Sequence, residues 1–187
     1  MRPNKRAELI RKSLDLFYGN GFHATGMDLV AAETGVSKTS IYKHFRSKEE
    51  LILAVLKLRD EDFRNWLYQR LEARADTARG RLEALFDVLE EWFGQPGFQG
   101  CMFIKASAEY QSPEDPINKQ AAEHKRLLQE HFAGLAAEAG ARDPEVLARQ
   151  LMVLKEGAIV LAALTHSSAP ARDARAAAAA LIDRAIS

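Results

Sequence analysis

Two helix start signals that lie ten residues apart constrain the fold more than any other part of the sequence. Val36, Ser37 and Ile41 have the spacing of a hydrophobic staple around an N-cap, which predicts a helix that begins after Ser37. Ser47 and Glu50 have the spacing of a capping box, which predicts a second helix. The first helix is too short to be stable alone, so it must pack against other helices.

This short helix is predicted to have two chemically different faces. Ile41 and Phe45 are four residues apart and form an apolar face that we expect in the core. The other face carries hydroxyl, cationic and aromatic groups, namely Lys38, Thr39, Tyr42 and Lys43. Such a face is suited to a groove of a nucleic acid.

Charge is distributed unevenly along the chain. The 187 residues include 26 basic and 26 acidic side chains, so the net charge is zero. Residues 1–48 nevertheless contain 9 Lys and Arg against 4 Asp and Glu, whereas the remainder contains 17 against 22. This asymmetry predicts a basic nucleic-acid-binding module joined to an acidic body, and chance clustering is the alternative.

The composition indicates a folded domain without a membrane segment. Hydrophobic residues make up 47% of the chain and charged residues 28%, with only 6 prolines,. No apolar run approaches the roughly 20 residues of a membrane span, and no apolar signal segment follows the basic N-terminus. The single cysteine excludes an internal disulfide and fits a reducing compartment,. We therefore expect a cytoplasmic protein with no membrane partner.

The residues before Ser37 complete a helix-turn-helix pattern. Apolar residues recur with helical spacing between residues 5 and 18. Thr25 followed by Asp28 three residues later predicts an N-cap and a second helix. The small Ala31 and the flexible Gly35 allow the next helix to cross this one closely.

Residues 9–56 resemble the DNA-binding domain of the TetR family of bacterial transcriptional repressors. The resemblance lies in Leu16-Phe17, Gly21-Phe22-x-x-Thr25, Ala31-x-x-x-Gly35-Val36-Ser37, Ile41-Tyr42-x-His44-Phe45 and Ser47-Lys48-Glu49-Glu50-Leu51. These motifs cover about a quarter of the chain, and their order and spacing make the match specific, whereas a lone helix-turn-helix pattern would be weak.

The resemblance implies a DNA-contacting role for individual residues. Tyr42, His44 and Lys48 would reach the phosphate backbone, and the outer face of the recognition helix would enter the major groove. The predicted DNA-binding residues are Thr25, Ser37, Lys38, Thr39, Ser40, Tyr42, Lys43, His44 and Lys48.

Two positions depart from the family pattern. Thr39 stands where glycine is common, and its methyl and hydroxyl groups could read base edges, so we expect it to determine specificity. Gly26 stands where a second hydroxyl residue is common, so one side-chain phosphate contact is absent. A main-chain N–H remains available there.

The remainder of the chain is predicted to form a helical body. A long helix should run from Lys48 to about Arg74, and its continuity would carry movement from the body to the basic module. Further periodic segments bring the total to about nine helices, so the fold class is all-α. The predicted domains are residues 1–47, which bind DNA, and residues 48–187, which bind ligand and dimerise.

The last two helices are predicted to form a dimer interface. The segment after Asp143-Pro144 is apolar nearly all round, and the final helix after Pro170 is rich in alanine,. Two such helices fit a four-helix bundle between two subunits, and a purely internal core is the alternative. The resemblance favours a homodimer, whose recognition helices need half-sites about 34–36 Å apart or a multiple of that.

Aromatic residues in the middle of the chain predict an effector site, since ligand sites are mostly apolar with a few polar groups. The candidates are Phe63, Trp66, Phe86, Trp92, Cys101, Met102, Tyr110, His124 and Glu156. Glu109 is a further candidate for a polar group. Ordinary core packing is the alternative for the aromatics, and a buried structural role is the alternative for His124.

The predicted function is that of a ligand-responsive regulator. We expect a repressor that binds a palindromic double-stranded DNA operator as a dimer and is released by a small-molecule effector. The alternatives are a corepressor-type regulator and a redox or electrophile sensor that uses Cys101, which opens a helix as in a large TetR subset. No catalytic signature, zinc-ligand spacing or phosphate loop is present, so we expect no enzyme activity, metal or cofactor.

Overall fold

The computed structural model describes residues 5–186, and over this range the chain forms nine α-helices and no β-strand. The helices are α1 (Lys5–Asn20), α2 (Met27–Thr34), α3 (Lys38–His44), α4 (Lys48–Arg74), α5 (Ala78–Phe93), α6 (Met102–Glu109), α7 (Pro116–Glu138), α8 (Pro144–Thr165) and α9 (Ala169–Ala185). The all-α prediction is confirmed. None of the helices in the described range is both long enough and apolar enough to cross a membrane. Residues 1–4 and 187, the outer ends of the two predicted domains, lie outside this range.

The chain divides into two compact units that each draw on separate stretches of sequence. The first contains residues 5–63 and 102–124, and the second contains residues 64–101 and 125–186. The first unit therefore includes α6 and the beginning of α7 in addition to the three N-terminal helices. The functional boundary between residues 47 and 48 stays a prediction.

Aromatic and aliphatic side chains form the core of the first unit. Phe17 and Phe22 stack with their ring centroids 5.5 Å apart, and both are fully buried. Val30, Ile41 and Phe45 are buried as well, which confirms the predicted inner face of α3. Burial of each such side chain contributes about 1.5–3 kcal/mol, so this packing stabilises an α3 that could not persist alone.

The predicted start of α3 is confirmed. Ser37 is the N-cap, and its hydroxyl oxygen accepts a hydrogen bond from the N–H of Ser40 at 3.3 Å. Gly35 ends α2 with a φ of 70°, a left-handed conformation that glycine adopts without strain,. The tight turn between α2 and α3 follows from these two residues.

Two other capping predictions need correction. The N-cap of α2 is Gly26, because the Thr25 hydroxyl instead donates to the carbonyl oxygen of Gly21 at 2.6 Å. At the start of α4, the Ser47 hydroxyl accepts from the Glu50 N–H at 3.2 Å as predicted. The Glu50 carboxylate, however, accepts from the N–H of Arg46 at 2.6 Å, one residue before the donor of a standard capping box,.

In the second unit, α9 packs against both α5 and α8. Thr77 is the N-cap of α5, and its hydroxyl oxygen accepts from the N–H of Gly80 at 3.1 Å. Small side chains of α9, including Ala171 and Ala178, are buried and permit close approach. Arg175 pairs with Asp87 of α5 at the exposed edge of this packing.

A stripe of exposed apolar residues follows one face of α8. It consists of Val153, Val160, Leu161 and Leu164, whose spacing of seven, eight and eleven residues from the first places them on one side of a helix,. Val153 is 72% exposed and Leu164 is 73% exposed. We refer to these four residues as the α8 stripe.

Candidate nucleic-acid interface and buried polar clusters

The outer face of α3 is accessible in the first unit. Lys38, Thr39, Tyr42 and Lys43 are exposed, and the side chain of Tyr42 protrudes with 48% exposure. Since Ile41 faces the core, the remaining residues must face outward with the geometry of a recognition helix. Their contacts with DNA stay a prediction.

A basic groove lies beside this face. Its volume is about 590 Å³, and its lining includes Lys5 and Lys12 of α1 with Lys43 and His44 of α3. Glu8 also lines the groove, and its carboxylate lies 3.1 Å from the ammonium group of Lys12. Lys12 also donates to the carbonyl oxygen of Thr34 at 3.2 Å, which fixes its ammonium group near the end of α2. Several cations around one groove attract a phosphate backbone without regard to sequence.

Lys38 has an acidic partner before any DNA is bound. Its ammonium group lies 2.5 Å from the carboxylate of Asp28 on α2, and both side chains are exposed. A surface ion pair of this kind contributes at most about 1 kcal/mol, so DNA can replace Asp28 at low cost.

Thr25 does not fit its predicted role. Its side chain is buried and its hydroxyl proton is bonded to Gly21, so it offers no group to a phosphate oxygen. The main-chain N–H groups at the start of α2 remain as the donors at this corner. Thr25 therefore acts in folding the turn between α1 and α2.

Glu109, the last residue of α6, binds the turn between α1 and α2. One carboxylate oxygen accepts from the N–H of Phe22 at 2.9 Å, and the other accepts from the N–H of His23 at 2.5 Å. The second oxygen also lies 3.0 Å from the Nδ1 atom of His23. We call this arrangement the Glu109 clasp, and a role for Glu109 in binding an effector stays a prediction.

Tyr110 also packs against this turn, and its role in binding an effector stays a prediction. Its ring stacks on that of His23 with centroids 4.7 Å apart and meets Phe22 edge-on at 6.3 Å. Burial, followed by the nearby carboxylates of Glu49, Glu109 and Asp115, raises the pKa of Tyr110 to about 12.

A second polar cluster in the first unit is fully buried. His124 of α7 lies with its Nδ1 atom 2.7 Å from the carboxylate of Asp60 on α4. Phe103 stacks on the imidazole at 3.7 Å, and Phe63 meets it edge-on at 5.7 Å. This geometry supports the structural role that was the alternative for His124, and its role in binding an effector stays a prediction.

The second unit contains a partly buried ionic cluster around Glu156, in which Lys155 and Cys101 are buried and Lys125 and Glu156 are about three-quarters covered. One carboxylate oxygen of Glu156 accepts from the ammonium group of Lys155 at 2.7 Å, and the other accepts from Lys125 at 2.6 Å. Lys125 also donates to the sulfur of Cys101 at 3.3 Å. We call these four residues the Glu156 cluster.

The electrostatics of the cluster favour an ionised carboxylate. Burial alone would raise the pKa of Glu156, but Lys155 and Lys125 outweigh it and lower that pKa to about 2. Burial, together with the charge of Lys125, lowers the pKa of Lys155, which is 1% exposed. For Lys125, burial is outweighed by Cys101 and Glu156, which raise its pKa. The two ammonium groups of the cluster are therefore balanced by the negative charge of Glu156.

The remaining predicted effector residues are distributed over both units. The first unit holds Phe63, Met102 and His124, and the second holds Trp66, Phe86, Trp92, Cys101 and Glu156. Trp66 lies 6.4 Å from Trp92 between ring centroids, and Phe86 is buried in α5. Their role in binding an effector stays a prediction.

Sequence reasoning missed Asp60, Lys125 and Lys155. Lys155 did carry a signal, because it stands with Glu156 inside an otherwise apolar stretch of α8. A charged pair in such a stretch is costly unless further partners are present. Asp60 and Lys125 lie among many charged neighbours in their helices, so their sequence gave no comparable indication.

Two family models together match most of the chain. The family "Bacterial regulatory proteins, tetR family" matches residues 9–55, and "Tetracyclin repressor-like, C-terminal domain" matches residues 78–178. The second match alone covers more than half of the chain. The chain belongs to the TetR family. It is therefore a DNA-binding transcriptional regulator with a helix-turn-helix domain, and not an enzyme.

A solved TetR-family structure supports the fold over the full length. SCO4454 from Streptomyces coelicolor is 27% identical, with a TM-score of 0.90, and the match covers 98% of this chain and 96% of that one.

Two curated relatives differ in the direction of regulation that their names state. The transcriptional activator FasR of Mycolicibacterium smegmatis is 38% identical over 92 residues, which are 48% of this chain and 42% of FasR. The transcriptional repressor KstR2 of the same organism is 35% identical over 82 residues, which are 44% of this chain and 38% of KstR2. The matches thus span less than half of either relative, and they include both signs of regulation.

Proposed function

We propose that this protein is a cytoplasmic, ligand-responsive repressor that binds a palindromic operator as a homodimer and is released by a small-molecule effector. The observation that carries the proposal is that α6 belongs to the same compact unit as the recognition helix. An effector that displaces α6 would therefore act on the DNA-binding surface.

The α8 stripe supports dimerisation through α8 and α9. Four large apolar side chains on one helix face are more than a monomeric protein usually exposes together,. The exposed side of α9 adds small residues, including Ala176 and Ala180, that permit close helix packing. Two copies of such a helix pair form a four-helix bundle with twofold symmetry.

The Glu156 cluster supports an effector site in the second unit. Ligand sites combine an apolar lining with a few convergent polar groups, and this cluster brings two ammonium groups, a carboxylate and a thiol together,. The predicted effector residues Trp66 and Trp92 belong to the same unit. We propose that an effector contacts this cluster.

The sign of regulation depends on differential affinity. An effector releases the operator only if it binds the non-DNA-binding state more tightly, and it acts as a corepressor in the opposite case. The names of the repressor KstR2 and the activator FasR state opposite directions of regulation and say nothing of how an effector acts. Release is our first proposal and corepression is the second.

The decisive experiment is the selection of bound sequences from random duplex DNA, followed by repetition with candidate metabolites. We expect a palindromic sequence whose enrichment disappears when one class of metabolite is added. Enrichment that appears only with a metabolite would instead establish a corepressor. A palindrome whose recovery no metabolite changes would contradict ligand response, and binding without sequence preference would contradict operator recognition.

A redox or electrophile sensor is the alternative that a specific contact favours. Cys101 is the one cysteine of the chain, and its sulfur accepts a hydrogen bond from Lys125 at 3.3 Å. A peroxide would oxidise the thiol to a sulfenic acid and be reduced to water. If Cys101→Ser binds the operator like the parent but loses a peroxide response, the sensor is supported, and an unchanged response contradicts it.

A further inference from the structure

The Glu109 clasp provides hydrogen-bond acceptors for two main-chain N–H groups that no helix hydrogen bond satisfies. α1 ends at Asn20, and the chain turns sharply before α2. The N–H groups of Phe22 and His23 therefore lie outside any helix, and the Glu109 carboxylate accepts one hydrogen bond from each. Charge-assisted hydrogen bonds of this kind are roughly twice as strong as neutral ones.

Gly21 makes the close approach of Glu109 possible. Its φ is 84°, and a Cβ atom at this position would lie 2.9 Å from a carboxylate oxygen of Glu109. A side chain at residue 21 would therefore be strained and would also press against the carboxylate. The turn is shaped to accept this group from α6.

Other contacts of α6 and its C-terminal neighbour act on the same region. Lys105 of α6 donates to the carbonyl oxygen of Tyr18, in the last turn of α1, at 2.9 Å. Tyr110 covers His23 with its ring and is itself held by Asn118, which donates to its carbonyl oxygen at 2.6 Å. The Glu109 clasp is therefore the central contact of a larger interface between α6 and the end of α1.

The turn between α1 and α2 is also hydrogen-bonded to Lys48, a residue that is predicted to contact DNA. The ammonium group of Lys48 donates to the carbonyl oxygen of His23 at 3.3 Å. His23 therefore bonds to Glu109 through its N–H and to Lys48 through its carbonyl. Displacement of the Glu109 carboxylate would move the acceptor that places Lys48.

We propose that Glu109 is the positioning residue that couples α6 to the DNA-binding surface, through the main chain of His23 to Lys48. This inference rests on the proposed function, because it names the route by which a displaced α6 alters operator affinity. The coupling requires a carboxylate, since both oxygens accept hydrogen bonds. In Glu109→Gln one acceptor becomes an NH2 group that faces an N–H donor.

Thermodynamic linkage permits a test without a known effector. If α6 and the DNA surface are coupled, DNA binding must affect α6 as much as α6 affects DNA binding. The probe is the duplex recovered by selection, and the readout is hydrogen exchange of the full-length protein. The variants are Glu109→Ala and Glu109→Gln. Glu114→Gln serves as the matched control, because within residues 5–186 its exposed carboxylate pairs only with Lys119.

In the parent and in Glu114→Gln we expect the duplex to slow hydrogen exchange in α6. In both Glu109 variants, exchange at Phe22 and His23 should be about tenfold faster, and the duplex should no longer affect α6. In Glu109→Gln, operator affinity should fall by about tenfold, which corresponds to one lost charge-assisted hydrogen bond, and in Glu109→Ala, which loses both bonds, it should fall at least as far. If Glu109→Ala does not fold, Glu109→Gln carries the test, since it preserves size and shape.

Two outcomes would overturn the inference. One is a parent protein in which the duplex leaves α6 exchange unchanged. The other is a Glu109 variant in which the turn exchanges faster but the duplex still slows exchange in α6, since Glu109 would then be purely structural. Failure of the proposed function would give a different result. DNA would still slow hydrogen exchange in α6 through Glu109, but no effector would change operator binding.

Discussion

The ammonium group of Lys48 donates a hydrogen bond to the main-chain oxygen of His23 at 3.3 Å, although the two residues are 25 positions apart. This contact ties the first turn of α4 to the turn between α1 and α2. A lysine held in this way loses less conformational freedom when it reaches a phosphate.

Replacement of Lys48 by alanine should weaken DNA binding uniformly. A phosphate contact carries no sequence information, so affinity should fall for operator and unrelated duplexes alike. The slope of log affinity against log salt should decrease by about 1 in a fluorescence anisotropy titration. Lys57→Ala is the matched control, because Lys57 is an exposed lysine of the same helix outside the predicted interface. A selective loss at the operator alone would contradict the phosphate role.

Replacement of Thr39 by alanine should relax sequence preference at particular base pairs. Its exposed position on α3 allows base contact, and one good contact contributes about 1–3 kcal/mol of discrimination,. Parallel selections from random duplexes should show lower enrichment at one or two positions in each half-site. Thr39→Ser removes the methyl group and keeps the hydroxyl, so it distinguishes the contributions of the two groups to base preference. An equal loss of affinity for every duplex would refute base reading by Thr39.

Replacement of Glu156 by glutamine should destabilise the protein at neutral pH by about 3 kcal/mol, since the pKa falls from 4.5 to about 2 on folding,. The native carboxylate contributes this stability above pH 4.5 and loses it as the pH falls toward 2. Urea unfolding at pH 7 and at pH 3 should therefore show a larger difference between parent and variant at pH 7.

Glu130→Gln provides the control for this measurement. Glu130 pairs with Arg126 on the exposed surface of α7, where an ion pair contributes little,. Its replacement should change the free energy of unfolding by less than about 1 kcal/mol at either pH. An equally small effect of Glu156→Gln would mean that the pairing of Lys125 and Lys155 with this carboxylate does not stabilise the fold.

Replacement of Leu164 by glutamate should prevent dimerisation. Leu164 is 73% exposed at the end of the α8 stripe, and a charge buried there without a partner would be costly,. Analytical ultracentrifugation should show a dimer for the parent and a monomer for the variant. Ala137→Glu, which places the same charge on an exposed position of α7, should remain dimeric. A dimeric Leu164→Glu would exclude the α8 stripe as the interface.

Features with local causes were predictable from the sequence. Ser37 and Gly35 set the turn before α3 through residues within four positions of themselves, and both predictions are confirmed. Thr25 failed although its signal was also local. The Thr25 hydroxyl donates to the carbonyl oxygen of Gly21 and does not accept from an N–H at the start of α2, as an N-cap would. Capping patterns in the sequence identify candidate N-cap residues, and the packing around the turn determines which of them caps the helix.

Contacts between distant residues were beyond sequence reasoning. Glu109 and Tyr110 stood among residues that indicated an effector site, yet Glu109 hydrogen-bonds to a turn 86 and 87 residues earlier, and Tyr110 packs its ring against the same turn. Nothing in the spacing of α6 identifies such a partner. The same holds for His124, whose carboxylate partner Asp60 is 64 residues away.

The α8 stripe also bears on the fate of newly made chains. If the proposed dimer covers the α8 stripe, a protomer without a partner exposes Val153 and Leu164 to water, and surfaces of this kind are recognised by chaperones and proteases,. Orphan protomers would be degraded faster than assembled ones. Cellular quality control would then match the amount of this regulator to the number of complete assemblies, independently of how strongly its gene is expressed.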